Sequence, residues 1–109
     1  MSEYAALRAE NAKVLRKLAK EVDLNRATDV EFFAPFETKA AAQQAADHLN
    51  RHILPRNIKA SVVAVEDEFD CTFTVHMVPT LKTITDIEIQ LSDVADRFDG
   101  FETSWGFAG

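Results

Sequence analysis

"RFDGFETSWGFAG", residues 97–109, decides the fold, and it holds all three glycines of the chain, Gly100, Gly106 and Gly109, with its one tryptophan, Trp105. The residues leading into it are helical in period, with Ile84, Ile87, Leu91, Val94, Ala95 and Phe98 on one stripe. Two starts compete for this helix: Thr85 with Glu88 as a capping box, and Thr83 with Asp86. Gly100 is expected to stop it, because glycine takes the left-handed conformation without a Cβ penalty. From Phe101 the period changes to two. Phe101, Thr103, Trp105 and Phe107 fall on one side and Glu102, Ser104 and Gly106 on the other. A final strand is therefore expected, with Trp105 sealing a core and Gly106 leaving room for a neighbouring element.

Working outward, "IKASVVAV" and "FDCTFTVHMV" read as two strands joined by an acidic turn at Glu66, Asp67 and Glu68. In the second, Phe69, Cys71, Phe73, Val75 and Met77 point one way and Asp70, Thr72, Thr74 and His76 the other, so one face is buried. The opposite face is either wet or covered by the first helix. "DVEFFAPF" from Asp29 is a strand stopped by Pro35. Thr38 caps an alanine-rich helix to about Ile53, with Ala41, Ala45, Leu49 and Ile53 at helical spacing. Within residues 1–24, Tyr4, Leu7, Asn11, Val14, Leu15, Leu18 and Val22 share a stripe, and Arg8, Lys13, Arg16, Lys17 and Lys20 lie off it. This is an amphipathic helix of about 18 to 20 residues. Its stripe packs on the protein's own sheet or meets a second chain, where Asn11 would set register. Beyond it, residues 29–109 give the order βαββαβ. That order folds most simply as a ferredoxin-like α+β sandwich, a four-stranded antiparallel sheet with two helices on one face. The 109 residues suffice for one domain.

Hydrophobic content of 47% indicates a folded chain, and the single cysteine, Cys71, excludes an internal disulfide. The start has no basic region followed by an apolar run, and no long apolar stretch occurs, so a soluble cytoplasmic protein is expected. Charge is unevenly distributed. Residues 1–24 carry five Lys/Arg against four Asp/Glu, whereas residues 66–109 carry two against ten. Such a surface repels a phosphate backbone and favours a basic partner, so direct nucleic-acid binding is not expected.

Chemistry-bearing constellations are sparse. His48 and His52 stand at i, i+4 on the second helix, but "HLNRH" lacks the glutamate of a zincin and no third ligand is identifiable. Cys71 and His76 are five apart in one strand and so alternate to opposite faces, which separates a would-be nucleophile from its base. No glycine precedes residue 100, so there is no phosphate-cradling glycine loop. Neither a cofactor nor a metal is implied. Two alternatives share the layout: a small α+β enzyme or metal-binding protein, and an RNA-recognition module. The second stacks bases on sheet aromatics, but here Phe69 and Phe73 are assigned to the core side.

The helix "ITDIEIQLSDVADRFDG" running into "FETSWGF", preceded by "DEFDCTFTVHMVPT" and "DVEFFAPF" after an N-terminal helix, resembles the RraB-like regulators of ribonuclease E activity. Phe98, Asp99, Trp105 and Gly106 fall at positions matching the family pattern. The Tyr-Asp-Gly usual before the tryptophan is Glu102, Thr103 and Ser104 here, and the long acidic tail of some members has no counterpart up to Gly109. The resemblance implies a non-catalytic protein that inhibits the endoribonuclease by association and so alters RNA decay. An acidic surface suits the basic segments of such a nuclease. One candidate surface lies on the third helix, where Ile89 stands off the apolar stripe among Asp86, Asp93 and Asp96. The acidic turn of Glu66, Asp67, Glu68 and Asp70 is the second.

Overall fold

A computed structural model describes residues 3–107. Gly109, the third glycine, lies outside them. The elements run α1 (Glu3–Leu18), β1 (Thr28–Phe36), α2 (Lys39–His52), β2 (Ser61–Val65), β3 (Glu68–Met77), α3 (Leu81–Arg97) and β4 (Ser104–Phe107). The strands form one antiparallel sheet in the order β2-β3-β1-β4. This is the expected α+β arrangement, with the βαββαβ order preceded by a helix.

The two central strands carry the core because their alternation is strict. Val30, Phe32, Ala34 and Phe36 of β1 are wholly buried, and Phe32 stacks on Phe73 of β3 with ring centroids 5.4 Å apart. Pro35 does not stop β1, which continues to Phe36. β4 pairs with β1 only from Val30 to Phe33. The missing N–H of Pro35 therefore falls where the ladder has ended, while its carbonyl accepts from the Phe101 N–H at 2.8 Å.

α2 lies over the β2–β3 side, and its alanines let it approach closely: Ala42, Ala45 and Ala46 are fully buried with Leu49. Thr38 caps it as expected, accepting from the Ala41 N–H at 3.1 Å. Asn50 then clamps the connection to β2 by exchanging two hydrogen bonds with the Ala60 backbone, at 2.7 and 3.0 Å.

α3 begins one turn earlier than either expected start. Thr80 is the N-cap, accepting from the Thr83 N–H at 3.1 Å, so Thr85 and Glu88 lie within the helix rather than at its end. Its C-terminus is a Schellman turn. The Gly100 N–H reaches the Ala95 carbonyl at 2.7 Å, and the left-handed residue is Asp99, at φ 59°, rather than Gly100. Gly100 is needed for space instead: a Cβ there would stand 2.7 Å from the Phe36 ring. Gly106 has no such constraint, since a Cβ would meet nothing within 4 Å. β4 starts at Ser104, which leaves Phe101 ahead of the strand and 50% exposed.

Within the described residues α1 covers 16 positions and ends at Leu18, so Val22 of the expected stripe lies beyond it, exposed. Its stripe packs chiefly against α3 and reaches the sheet at Trp105 of β4. With α1 beside α3, the face of the sheet away from the helices is left open.

Candidate functional site

Where α1, α3 and β4 meet, four elements of sequence converge on a buried polar cluster. Asn11, 3% exposed, donates through Nδ2 to the Thr85 hydroxyl at 3.2 Å and to Glu88 Oε1 at 3.1 Å. Its Oδ1 accepts from the Trp105 indole N–H at 2.8 Å. The Thr103 hydroxyl closes the group on Glu88 Oε2 at 3.4 Å. Burial pushes the Glu88 carboxyl above its ordinary range, against the hydrogen bonds from Asn11 and Thr103, which favour the charged form. Trp105 is half-buried rather than sealed in the core, with its indole nitrogen turned in to buried Asn11. The cluster holds no nucleophile; it fastens α1 to the rest of the fold. The one signal for it in the sequence is Asn11, a polar residue inside an apolar stripe.

The four α3 candidates do not form one free surface. Asp86 is half-buried and accepts from the Tyr4 hydroxyl at 2.9 Å and from Lys82 Nζ at 2.6 Å, contacts that hold its pKa below the usual carboxylate range. Ile89 is also half-buried. By helical position it lies between Thr85, bonded to Asn11, and Ser92, whose hydroxyl donates to the Glu3 carboxylate. α1 therefore flanks the intended anchor. Asp93 and Asp96 are exposed.

At the β2–β3 turn, Glu66, Asp67 and Glu68 are exposed and Asp70 is half-buried. Glu66 sits at φ 52°, the left-handed residue of the tight turn. The turn continues into the open face of the sheet. Cross-strand pairs set Val65 opposite Glu68, and Val63 opposite Asp70, which in turn faces Pro35; Thr72 stands between Ser61 and Phe33. The Thr72 Oγ1 is buried without a hydrogen-bond partner among the described residues. No strand contains a lysine or arginine.

The residues weighed for catalysis are dispersed. Cys71 is buried on the helix-covered face, where burial pushes its thiol up to about 12, so the thiolate is suppressed. His76 is exposed on the open face, 2.8 Å from Asp29. His48 and His52 rings lie 5.0 Å apart, and burial lowers the pKa of His48, which also meets the Phe98 ring edge-on. Among the described residues no group of three His, Cys, Asp or Glu is placed to hold a metal ion. A cavity of about 130 Å³ between α2, α3 and β3 has Gln90 as the one polar side chain in its lining. Phe73 and half-buried Phe69 pack in the core, as expected, which leaves Phe33 as the strand aromatic on the open face.

An α+β fold of ferredoxin-like order, with a buried polar cluster that fastens its first helix, is the class this geometry defines. The chain belongs to the family described as regulator of ribonuclease activity B (RraB), whose model matches residues 8–107. No curated protein and no solved structure gives a match. Among the described residues no helix is long and apolar enough to cross a membrane.

Proposed function

We propose that the protein inhibits an endoribonuclease of the ribonuclease E type by binding it, and so modulates RNA decay without itself cutting RNA. The observation that carries this is the family match over residues 8–107. The concentration of ten carboxylates against two basic residues in 66–109 supports it, because such a surface repels RNA and attracts the basic segments of an RNA-handling protein. The reading treats residues 1–109 as a single cytoplasmic, cofactor-free domain of bacterial RNA metabolism. Its contacts with the nuclease are carboxylates in two places. On α3, Asp93 and Asp96 steer the encounter beside Ile89 and Asp86; at the β2–β3 turn Glu66, Asp67, Glu68 and Asp70 do the same.

Binding of the purified endoribonuclease, measured with and without prior digestion of RNA, tests the proposal. A complex that survives digestion is expected, and one that dissolves with the RNA would point to an RNA-bridged contact instead. Asp93→Lys with Asp96→Lys should slow association most at low salt, and Ile89→Ala should weaken the complex while leaving the fold intact. Cys71→Ala, or His48→Ala with His52→Ala, should leave inhibition unchanged in folded protein.

A further inference from the structure

We infer that the open face of the sheet, at the end bounded by the β2–β3 turn, is a docking surface for an extended segment of a protein partner that alternates basic and apolar side chains. The inference rests on the proposed regulation of a nuclease for its setting, but its grounds are the composition and register of the sheet. This face carries no helix, since all three helices pack in the layer on the other side. Its apolar content is high for a solvent-facing surface: Val63 and Val65 are 48% and 45% exposed, and Phe33 and Pro35 are half-buried beside them. Its charged side chains near the turn are all acidic, and no strand supplies a lysine or arginine.

Register makes the two kinds of side chain adjacent rather than separate. Val65 lies across from Glu68 and Val63 across from Asp70, with Pro35 next in that row. Directly opposed residues on one face have Cβ atoms about 5 Å apart, so each valine stands beside a carboxylate. A depression of about 330 Å³ lies here, lined by Phe33, Pro35 and Val65 together with Glu66, Glu68 and Asp70. An extended chain presents alternate side chains about every 7 Å on one side, matching the spacing of successive outward positions along β2 and β3. Its apolar groups would cover Val63, Val65 and Phe33 while neighbouring Lys or Arg meet the carboxylates. A single-stranded nucleic acid would bring its phosphates against those carboxylates and is disfavoured on the same ground.

The test uses the full chain, labelled for amide NMR, and three probes: a synthetic peptide alternating Lys and Val, a Lys–Ser peptide of the same length and charge, and a single-stranded RNA. The Lys–Val peptide should shift amides of β2, β3 and the intervening turn. Val63→Thr with Val65→Thr, which keeps the branched shape, should weaken the Lys–Val peptide roughly fivefold and the Lys–Ser peptide little. Glu68→Lys with Asp70→Lys should weaken both peptides by about tenfold or more at low salt. Shifts confined to the α3 flank around Asp93 and Asp96, affinities unmoved by both pairs of changes, or RNA seated on the sheet would each overturn the inference. Inhibition of the endoribonuclease, read in parallel, separates this surface from the functional reading. If the nuclease is unaffected while the Lys–Val peptide seats on the face, the surface stands and the nuclease reading falls. If wild type and both open-face variants inhibit equally, the nuclease reading stands and the surface is wrong.

Discussion

At the scale of single residues, Asn11 has the largest consequence for its size. It satisfies the half-buried Trp105 indole and, at the buried α1–α3 contact, shares in satisfying Thr85 and Glu88. Asn11→Ala leaves those partners short, so it should cost roughly 2 to 3 kcal/mol. Trp105→Ala should cost about 3 kcal/mol, the lower end for a tryptophan because the ring is only half-buried. A double-mutant cycle by chemical denaturation should find the two coupled, and strict additivity would mean that the indole–amide bond contributes nothing. Glu88 gives the cluster a pH signature. Its folded pKa is raised above the ordinary 4.5 chiefly by burial, so the folded state holds the proton more tightly than the unfolded chain. The penalty for the buried charge is full above the folded pKa and is relieved as pH falls through it. Wild type should therefore gain stability relative to Glu88→Gln between neutral pH and about 4.5, read as unfolding free energy against pH. A difference that is flat in pH would mean that the hydrogen bonds from Asn11 and Thr103 offset the effect of burial. Thr72→Val removes a buried hydroxyl without a partner in a strand that favours β-branching, and should stabilise by about 1 kcal/mol.

At the scale of elements, local chemistry and tertiary demand divide the work, and α3 illustrates the division. Its apolar stripe and its stop near residue 100 were legible because they depend on periodicity and on the neighbouring backbone. Its start was not. Thr80, Thr83 and Thr85 all resemble caps, and what selects Thr80 is that Thr85 and Glu88 are drawn into bonds with Asn11, 74 and 77 residues away in sequence. The same distance effect hid the role of Gly100, whose constraint is the Phe36 ring and not its own backbone angle. Gly100→Ala should therefore destabilise although the position needs no left-handed turn, whereas Asp99→Gly should stabilise by about 0.5 to 1 kcal/mol by relieving the left-handed strain. Thermal denaturation of the two variants checks both signs, and destabilisation by both would mean that the Asp99 side chain matters more than its backbone. The placement of α1 followed the same pattern: its amphipathic stripe was evident, but a stripe does not say which neighbour it meets. The alternation of β3 was the most legible feature, since burial of one face of a central strand leaves a period of two in the residues themselves.

At the scale of the whole molecule, the helix layer and the open sheet face have different charge characters. Lysines and arginines are confined to helices and loops, and the strands contain none. The sequence showed a charge gradient along the chain rather than this partition, since acidic α3 belongs to the helix layer. The spatial meaning of the gradient came only with the register that sets valines against carboxylates at the β2–β3 end. On the proposed reading the gradient has a purpose: an acidic protein would bind a nuclease where the nuclease would otherwise meet RNA. The most direct measurement is the initial rate at which a purified ribonuclease E-type endoribonuclease cleaves a fluorescent RNA as this protein is titrated in, repeated at several RNA concentrations. Saturable inhibition is expected, with the protein itself giving no cleavage and no RNA binding in the same buffer. An unchanged cleavage rate at concentrations far above that of the enzyme, or a loss of rate fully explained by the protein sequestering RNA, would contradict regulation through association with the nuclease.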